Sequence, residues 1–176
     1  MFTLNDSIFA VLHSCREDLC SSRLTCYMYM FQLAGLDYQF RYNISTSGIK
    51  SRGVDSLLSS MINEDKVNTV NGSISLTEMG TLYYTSIPLT YKEWEKFDNV
   101  KDCLDSLSDT ELYFVVLTDM VVSDTLNKKG VSSMITGRDM IEHTLASLSK
   151  EYSEDNFNSA LRIIRYIKEG FDNEWT

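Results

Sequence analysis

Apolar residues recur at helical spacing in three stretches of the first half of the chain. The stretches are 8–19, 24–34 and 54–62, and the third has the strongest helical pattern. Between the second and the third, residues 38–42 alternate apolar and polar side chains, which is typical of a half-buried strand. Residues 43–48 follow as a polar loop. The pattern therefore predicts two helices, a strand and a third helix.

Turn and capping residues extend this order. Asn71-Gly72 tolerates positive φ and separates two short runs, 66–70 and 73–76, so it favours a type I′ hairpin. Thr77 can accept hydrogen bonds from the free N–H groups of a following helix. That helix is expected to end before Pro88, because proline cannot continue a helix.

The second half of the chain is predicted to be helical throughout. Thr90 with Glu93, and Ser108 with Glu111, match the capping-box pattern at the start of two helices. The helix after Ser108 is apolar nearly all round, so we expect it at the buried centre of a bundle. Two further amphipathic helices follow it.

Together these elements predict a mainly α fold with a small β-hairpin wing. Residues 1–88 form a winged-helix-like module, in which the hairpin 66–76 is the wing. Residues 89–176 form an acidic helical extension, which we expect to pack on the module as one compact unit.

The charge is unevenly distributed along the chain. The net charge is -9; residues 37–76 carry four basic and four acidic side chains, whereas residues 77–176 carry ten and eighteen. An acidic surface repels a phosphate backbone, so the charge disfavours DNA as a partner. The candidate nucleic-acid contacts are Arg41, Lys50, Arg52 and Lys66.

Residues that catalysis requires are sparse. His13 and His143 are the only histidines and lie far apart in the sequence. The chain has neither a Gly-x-Ser-x-Gly elbow nor a phosphate-binding loop ending in lysine. We therefore predict a protein that is not an enzyme and needs no cofactor.

The cysteines and the N-terminal sequence indicate a cytoplasmic protein. Cys15, Cys20, Cys26 and Cys103 lie within apolar patterns, which is typical of small buried side chains in a reducing compartment. Their spacing matches no zinc site, so no metal is expected. The chain begins without a basic and then apolar segment, and no stretch reaches the about 18 apolar residues of a membrane helix.

The middle of the chain resembles a bacterial protein family. The segments are LTCYMYMFQLAG at 24–35, YQFRY at 38–42, SGIKS at 47–51 and LTEMG at 76–80. They resemble the YwgA-like and Panacea-type proteins, in which Gly-Pro-Tyr-Ser stands where this chain has Gly48-Ile49-Lys50-Ser51. The resemblance covers residues 22–88. It implies a regulatory or partner-binding role like that of antitoxins and accessory components of defence operons.

The favoured hypothesis is a non-enzymatic interaction module, an accessory or neutralising subunit of a bacterial toxin-antitoxin or phage-defence system. Its acidic extension can complement a second, more basic protein subunit. A homodimer is also compatible with this hypothesis. The candidate partner contacts are Tyr29, Glu151, Glu154, Asp155 and Trp175.

Two alternatives from other functional classes stay open. One is a transcriptional regulator that binds DNA with helix 51–63 and wing 66–76 and dimerises through its C-terminal helices. Strong, salt-sensitive binding to duplex DNA would favour it. The other is an enzyme or ligand sensor, which an occupied pocket would favour.

Overall fold

A computed structural model describes residues 4–14, 19–36, 40–87, 91–129 and 134–169. The described chain is mainly helical, with a small antiparallel sheet, as the sequence predicted. It divides into two compact units, Met1–Asp105 and Ser106–Thr176. The sequence analysis placed a boundary after residue 88 instead. Residues 91–105 belong to the first unit because their helix packs on a helix of that unit.

The first unit contains five helices and five short strands among its described residues. The helices are α1 (Leu4–Ser14), α2 (Ser21–Leu33), α3 (Arg52–Asn63), α4 (Glu78–Thr85) and α5 (Tyr91–Asp105). The strands are β1 (Leu19–Cys20), β2 (Asn43–Ser45), β3 (Gly48–Lys50), β4 (Val67–Val70) and β5 (Ser73–Leu76).

Strands β1, β5 and β4 form an antiparallel sheet in that order. Asn71 and Gly72 have φ values of 52° and 82°, which confirms the predicted turn between β4 and β5. The sequence analysis was wrong about β1, because it continued the first helix to residue 19. Helix α1 ends at Ser14, and Leu19 instead lies opposite Ile74 in the sheet, where both side chains are buried.

Strands β2 and β3 form a second hairpin that the sequence analysis did not predict. It expected a strand at 38–42 and a loop at 43–48, whereas the pairing is Asn43 with Lys50 and Ile44 with Ile49. Residues 40–42 lie outside any strand, and residues 37–39 are outside the described range. The Ser45 hydroxyl donates to the Gly48 carbonyl at 2.7 Å, which gives this carbonyl a hydrogen-bond partner within the turn.

Helices α3 and α4 begin at the residues that the sequence indicated. The Ser51 hydroxyl accepts from the Val54 N–H at 3.5 Å, and the Thr77 hydroxyl accepts from the Gly80 N–H at 3.0 Å. The predicted apolar stripe of α3 is buried through Val54, Leu58 and Met61. Ile62 departs from this prediction, because it is exposed.

Helix α5 packs on α2 through aromatic rings and one polar cluster. The Phe31 and Phe97 rings stack with centroids 4.6 Å apart. The Tyr27 hydroxyl donates to the Asp105 carboxylate, and the Lys101 ammonium also pairs with it. Burial and then the hydrogen bond to Asp105 raise the pKa of Tyr27 above its usual value, which keeps the phenol protonated as a donor. This polar cluster fixes how α5 lies on α2.

The second unit consists of three helices in its described part: α6 (Asp109–Lys129), α7 (Met134–Leu148) and α8 (Glu154–Glu169). Helix α6 packs on both α7 and α8, and its central side chains, residues 114–119, are all buried, as predicted. The predicted capping box is confirmed, since the Ser108 N–H donates to the Glu111 carboxylate at 2.8 Å and the Glu111 N–H donates to the Ser108 hydroxyl at 3.3 Å. Thr90 of the other predicted box lies outside the described residues.

One ion pair joins α6 to α8 within the second unit. Asp119 is only 2% exposed, and its carboxylate accepts from the Lys168 ammonium at 2.7 Å. A buried carboxylate without a partner is costly, so this pair selects one arrangement of the two helices.

Replacing Gly80 is expected to destabilise the first unit. A Cβ at this position would lie 2.0 Å from the Lys66 carbonyl oxygen, and backbone cannot move aside cheaply. We expect Gly80→Ala to lower the free energy of unfolding by about 2 kcal/mol or more, measured by urea denaturation. Thr81→Ala, on the exposed side of the same helix, should change it by less than about 0.5 kcal/mol. An equal effect of both variants would contradict the close approach.

Candidate interaction surfaces

The structure separates the four basic residues that the sequence singled out. Arg41, Lys50 and Arg52 lie at the base of the β2–β3 hairpin and the start of α3. Lys66 follows the other end of α3, which at about 1.5 Å per residue is a distance of about 18 Å. The four residues therefore do not form one basic patch.

Lys66 is already engaged within the first unit. Its ammonium is 2.6 Å from the Glu64 carboxylate and 4.3 Å from the centroid of the Tyr83 ring. The hydrogen bond from Lys66 and a second from Ser60 hold the pKa of Glu64 below its usual value. Lys66 thus neutralises a neighbouring acid and supports α4, and it adds little positive charge to the surface.

The β4–β5 hairpin, which the sequence identified as the wing, carries no charge. Residues 67–77 include no Lys, Arg, Asp or Glu. Val70, beside the turn, is 56% exposed. Affinity for a nucleic-acid backbone comes mainly from Lys and Arg, so a hairpin without them is poorly suited to bind it.

Helix α4 exposes large apolar side chains next to this hairpin. Met79 and Leu82 are three residues apart on the helix, so they share one face, and they are 54% and 62% exposed. Tyr83 is adjacent on that face but packs on Phe9 with ring centroids 4.8 Å apart. An apolar face beside an uncharged hairpin has the composition of a protein-binding surface.

Three of the predicted partner contacts form an acidic corner in the second unit, which we define as Glu151, Glu154 and Asp155. All three are exposed, between the end of α7 and the first turn of α8. The Glu154 carboxylate accepts from Arg138 at 3.3 Å. The helix dipole also favours acids in the first turn, which accounts for Glu154 and Asp155 locally.

The other two predicted partner contacts have different outcomes. Tyr29 is half-buried and packs edge-on against Tyr42, with ring centroids 5.0 Å apart. Its ring therefore stabilises the first unit as well as reaching the surface. Trp175 lies outside the described residues.

The histidines lie in separate units. The His13 ring stacks on Tyr84 with centroids 4.2 Å apart, whereas His143 is exposed on α7. Within the described residues, no group of three His, Cys, Asp or Glu side chains could hold a metal ion. The thiol of Cys103 is half-buried, and burial raises its pKa to about 11, which suppresses the reactive thiolate.

Sequence reasoning missed the β2–β3 hairpin and the exposed apolar face of α4. Strands of three residues give too short an alternation to be distinguished from a loop. A signal for the hairpin existed in Gly48, whose φ is 112°, because a positive φ marks a tight turn. For α4 the signal was the absence of charged residues from 79 to 91.

Removing the Lys66 ammonium should return the pKa of Glu64 towards its usual value. Because this pKa is lowered in the folded state, the ionised pair stabilises the fold above the unfolded-state pKa and is lost as the pH falls through the folded-state pKa. We expect Lys66→Met to raise the Glu64 pKa, followed by NMR titration of its carboxyl group. Lys50→Met is the control and should leave it unchanged. An unaltered Glu64 pKa in Lys66→Met would mean that Lys66 is directed elsewhere.

The chain matches no protein-family model and no curated protein at a significant level. None of the helices in the described ranges is both long and apolar enough to cross a membrane.

Proposed function

We propose that this protein is a non-enzymatic, winged-helix-like interaction module, the accessory or neutralising subunit of a bacterial toxin-antitoxin or phage-defence system. The order of elements supports the winged-helix part of the proposal: α1, β1 and α2 precede α3, which is followed directly by the β4–β5 hairpin. The strand order β1-β5-β4, in which β1 pairs with β5, also supports it.

The observation that carries the interaction role is the absence of charge on the wing together with exposed apolar residues beside it. Val70, Met79 and Leu82 are each more than half exposed in a region whose only charged residue between 67 and 91 is Glu78. Burying such side chains against a protein removes apolar area from water, whereas a phosphate backbone gives them no comparable gain.

The acidic corner provides a second contact and indicates the chemistry of the partner. Its carboxylates would steer a basic protein towards the second unit and favour the correct orientation. A toxin or effector that processes nucleic acid has such a basic surface. The resemblance to YwgA-like and Panacea-type proteins is consistent with this role, in the cytoplasm.

Adding a charge to the apolar face should disrupt the complex. We expect Leu82→Lys to lower capture of the partner at least about tenfold in a pull-down from the native lysate, since burying an unpaired ammonium is costly. Thr81→Lys introduces the same charge on an exposed neighbouring position and should retain capture. Circular dichroism should show both variants folded. Equal capture by both would place the interface elsewhere.

Reversing charge on the acidic corner should weaken the same complex. Glu151→Lys with Asp155→Lys replaces attraction by repulsion at two exposed positions, so we expect about tenfold weaker binding. The difference in affinity between this variant and the unmodified protein should shrink at high salt, which screens exposed charges. Glu95→Lys with Asp102→Lys changes the same number of charges at exposed positions of α5, which is part of neither proposed contact. The proposal would be wrong if this control weakened binding as strongly.

A further inference from the structure

Strands β2 and β3 end their pairing at Asn43 and Lys50, but the segments that flank this pair stay close together. Asn43 pairs with Lys50 and Ile44 with Ile49. Counting outwards from the last pair brings residue 41 level with 52, and residue 40 level with 53, where α3 has begun. The Phe40 ring lies against Gly53, where an added Cβ would be 2.2 Å from the ring. The two segments therefore still lie side by side where α3 begins.

Burial along the hairpin alternates in agreement with this register. Ile49 and Ser51 are buried, whereas Lys50 between them is half-buried and Arg52 is exposed. Arg41 is exposed on the opposite segment. The backbone of Ser51 is extended, with φ of -139° and ψ of 114°, so the side chains of Lys50 and Arg52 on either side of it leave the chain on the same side. We call Arg41, Lys50 and Arg52 together the hairpin face.

The hairpin face is locally basic in a protein of net charge -9. Residues 38–54 include three basic side chains and no acidic one; Asp37 precedes them and lies outside the described residues. The nearest described acid in the sequence is Asp55, which is exposed in the first turn of α3. Among the described residues, no ion pair neutralises Arg41, Lys50 or Arg52. The positive charge is thus available to an external anion.

We infer that the hairpin face binds the phosphate backbone of nucleic acid. Arginine presents several N–H donors to phosphate oxygens, and the first N–H groups of α3 lie beside Arg52. At the exposed tip of the hairpin, Thr46 carries a hydroxyl suited to phosphate or sugar contacts, whereas the Ser45 and Ser47 hydroxyls bond within the turn. This surface is separate from the wing, and the inference does not depend on the proposed protein partner.

The shape and composition of the hairpin favour nucleic acid over a lipid surface. A two-stranded ribbon fits a major groove about 12 Å wide. Insertion into a membrane interface would require aromatic or large apolar residues at the tip. The only large apolar side chain exposed on this hairpin is Ile44, which is 37% exposed and lies on the face opposite to Lys50.

The test is the salt dependence of binding to a fluorescein-labelled duplex of about 20 base pairs, measured by anisotropy with the full chain. Three phosphate contacts give a slope of about -2.7 in log K against log salt, or about 40-fold weaker binding at about 200 mM than at about 50 mM. Arg41→Gln, Lys50→Gln or Arg52→Gln leaves two contacts, so the same change in salt should weaken binding only about 12-fold. Lys66→Met is the control and should keep the 40-fold dependence.

Two results would overturn the inference. One is the absence of binding at about 50 mM salt with protein at about 100 µM. Non-specific dissociation constants are about 100 µM or lower, so binding should be detectable at this protein concentration. The other is an unchanged slope in all three hairpin variants. Polyglutamate and unlabelled duplex, added at equal total charge, are compared as competitors. We expect only the unlabelled duplex to displace the labelled one; equal displacement by polyglutamate would assign the face to an acidic protein.

Discussion

Helix α4 approaches the backbone of Lys66 so closely that a side chain at position 80 would meet the Lys66 carbonyl oxygen. The same carbonyl accepts from the Thr77 N–H at 3.1 Å, and the Thr77 hydroxyl donates to the Asp65 carbonyl at 2.5 Å. Asp65 itself has a φ of 58°, which turns the chain out of α3 and into β4. The end of α3, the hairpin and the start of α4 are therefore held at one point.

The rest of the first unit depends on this joint. It sets the direction of the hairpin, whose inner residue Ile74 covers Leu19 of β1. It also directs α4 against α1, where Tyr83 packs on Phe9. Lys66 serves as the connection in two ways, through its carbonyl and through its ammonium, which lies over the Tyr83 ring. A residue with this structural role is poorly placed to act as a ligand contact.

Local sequence signals were sufficient wherever one segment determines its own structure. The Asn71-Gly72 turn, the Thr77 cap and the Ser108–Glu111 box each involve residues a few positions apart, and each is present. They were correctly predicted because backbone geometry and side-chain donors in one short segment decide the outcome.

The predictions failed where the structure depends on residues far apart in sequence. Strand β1 consists of two residues and exists only through pairing with β5, more than fifty residues later. The alternation at 38–42 predicted a strand. Instead, the Phe40 ring packs against Gly53 and the Tyr42 ring against Tyr29, so side-chain packing accounts for the apolar positions without strand hydrogen bonds. Tertiary contacts of this kind override local propensity.

The candidate site shows the same division. Sequence identified four cations in the neutral region, but only the structure shows that Arg41, Lys50 and Arg52 lie near the start of α3 whereas Lys66 follows its end. The ion pair with Glu64 removes Lys66 from the set, although a partner two residues away is a local signal that the sequence already contained. The charge composition thus limits how many basic side chains could contact a phosphate, while the fold decides which of them lie near one another.

The position of the β2–β3 hairpin has a consequence for any contact with nucleic acid. In a helix-turn-helix, a turn of about three or four residues connects the two helices and seats the second in the major groove. Here residues 34–51 separate α2 from α3, and the hairpin occupies that interval. The exposed side of α3 beyond Arg52 carries Asp55, Ser56 and Ser59, which supply no further cation. Arg41, Lys50 and Arg52 therefore put the proposed phosphate contact where the β2–β3 hairpin meets the first residue of α3, and not further along that helix.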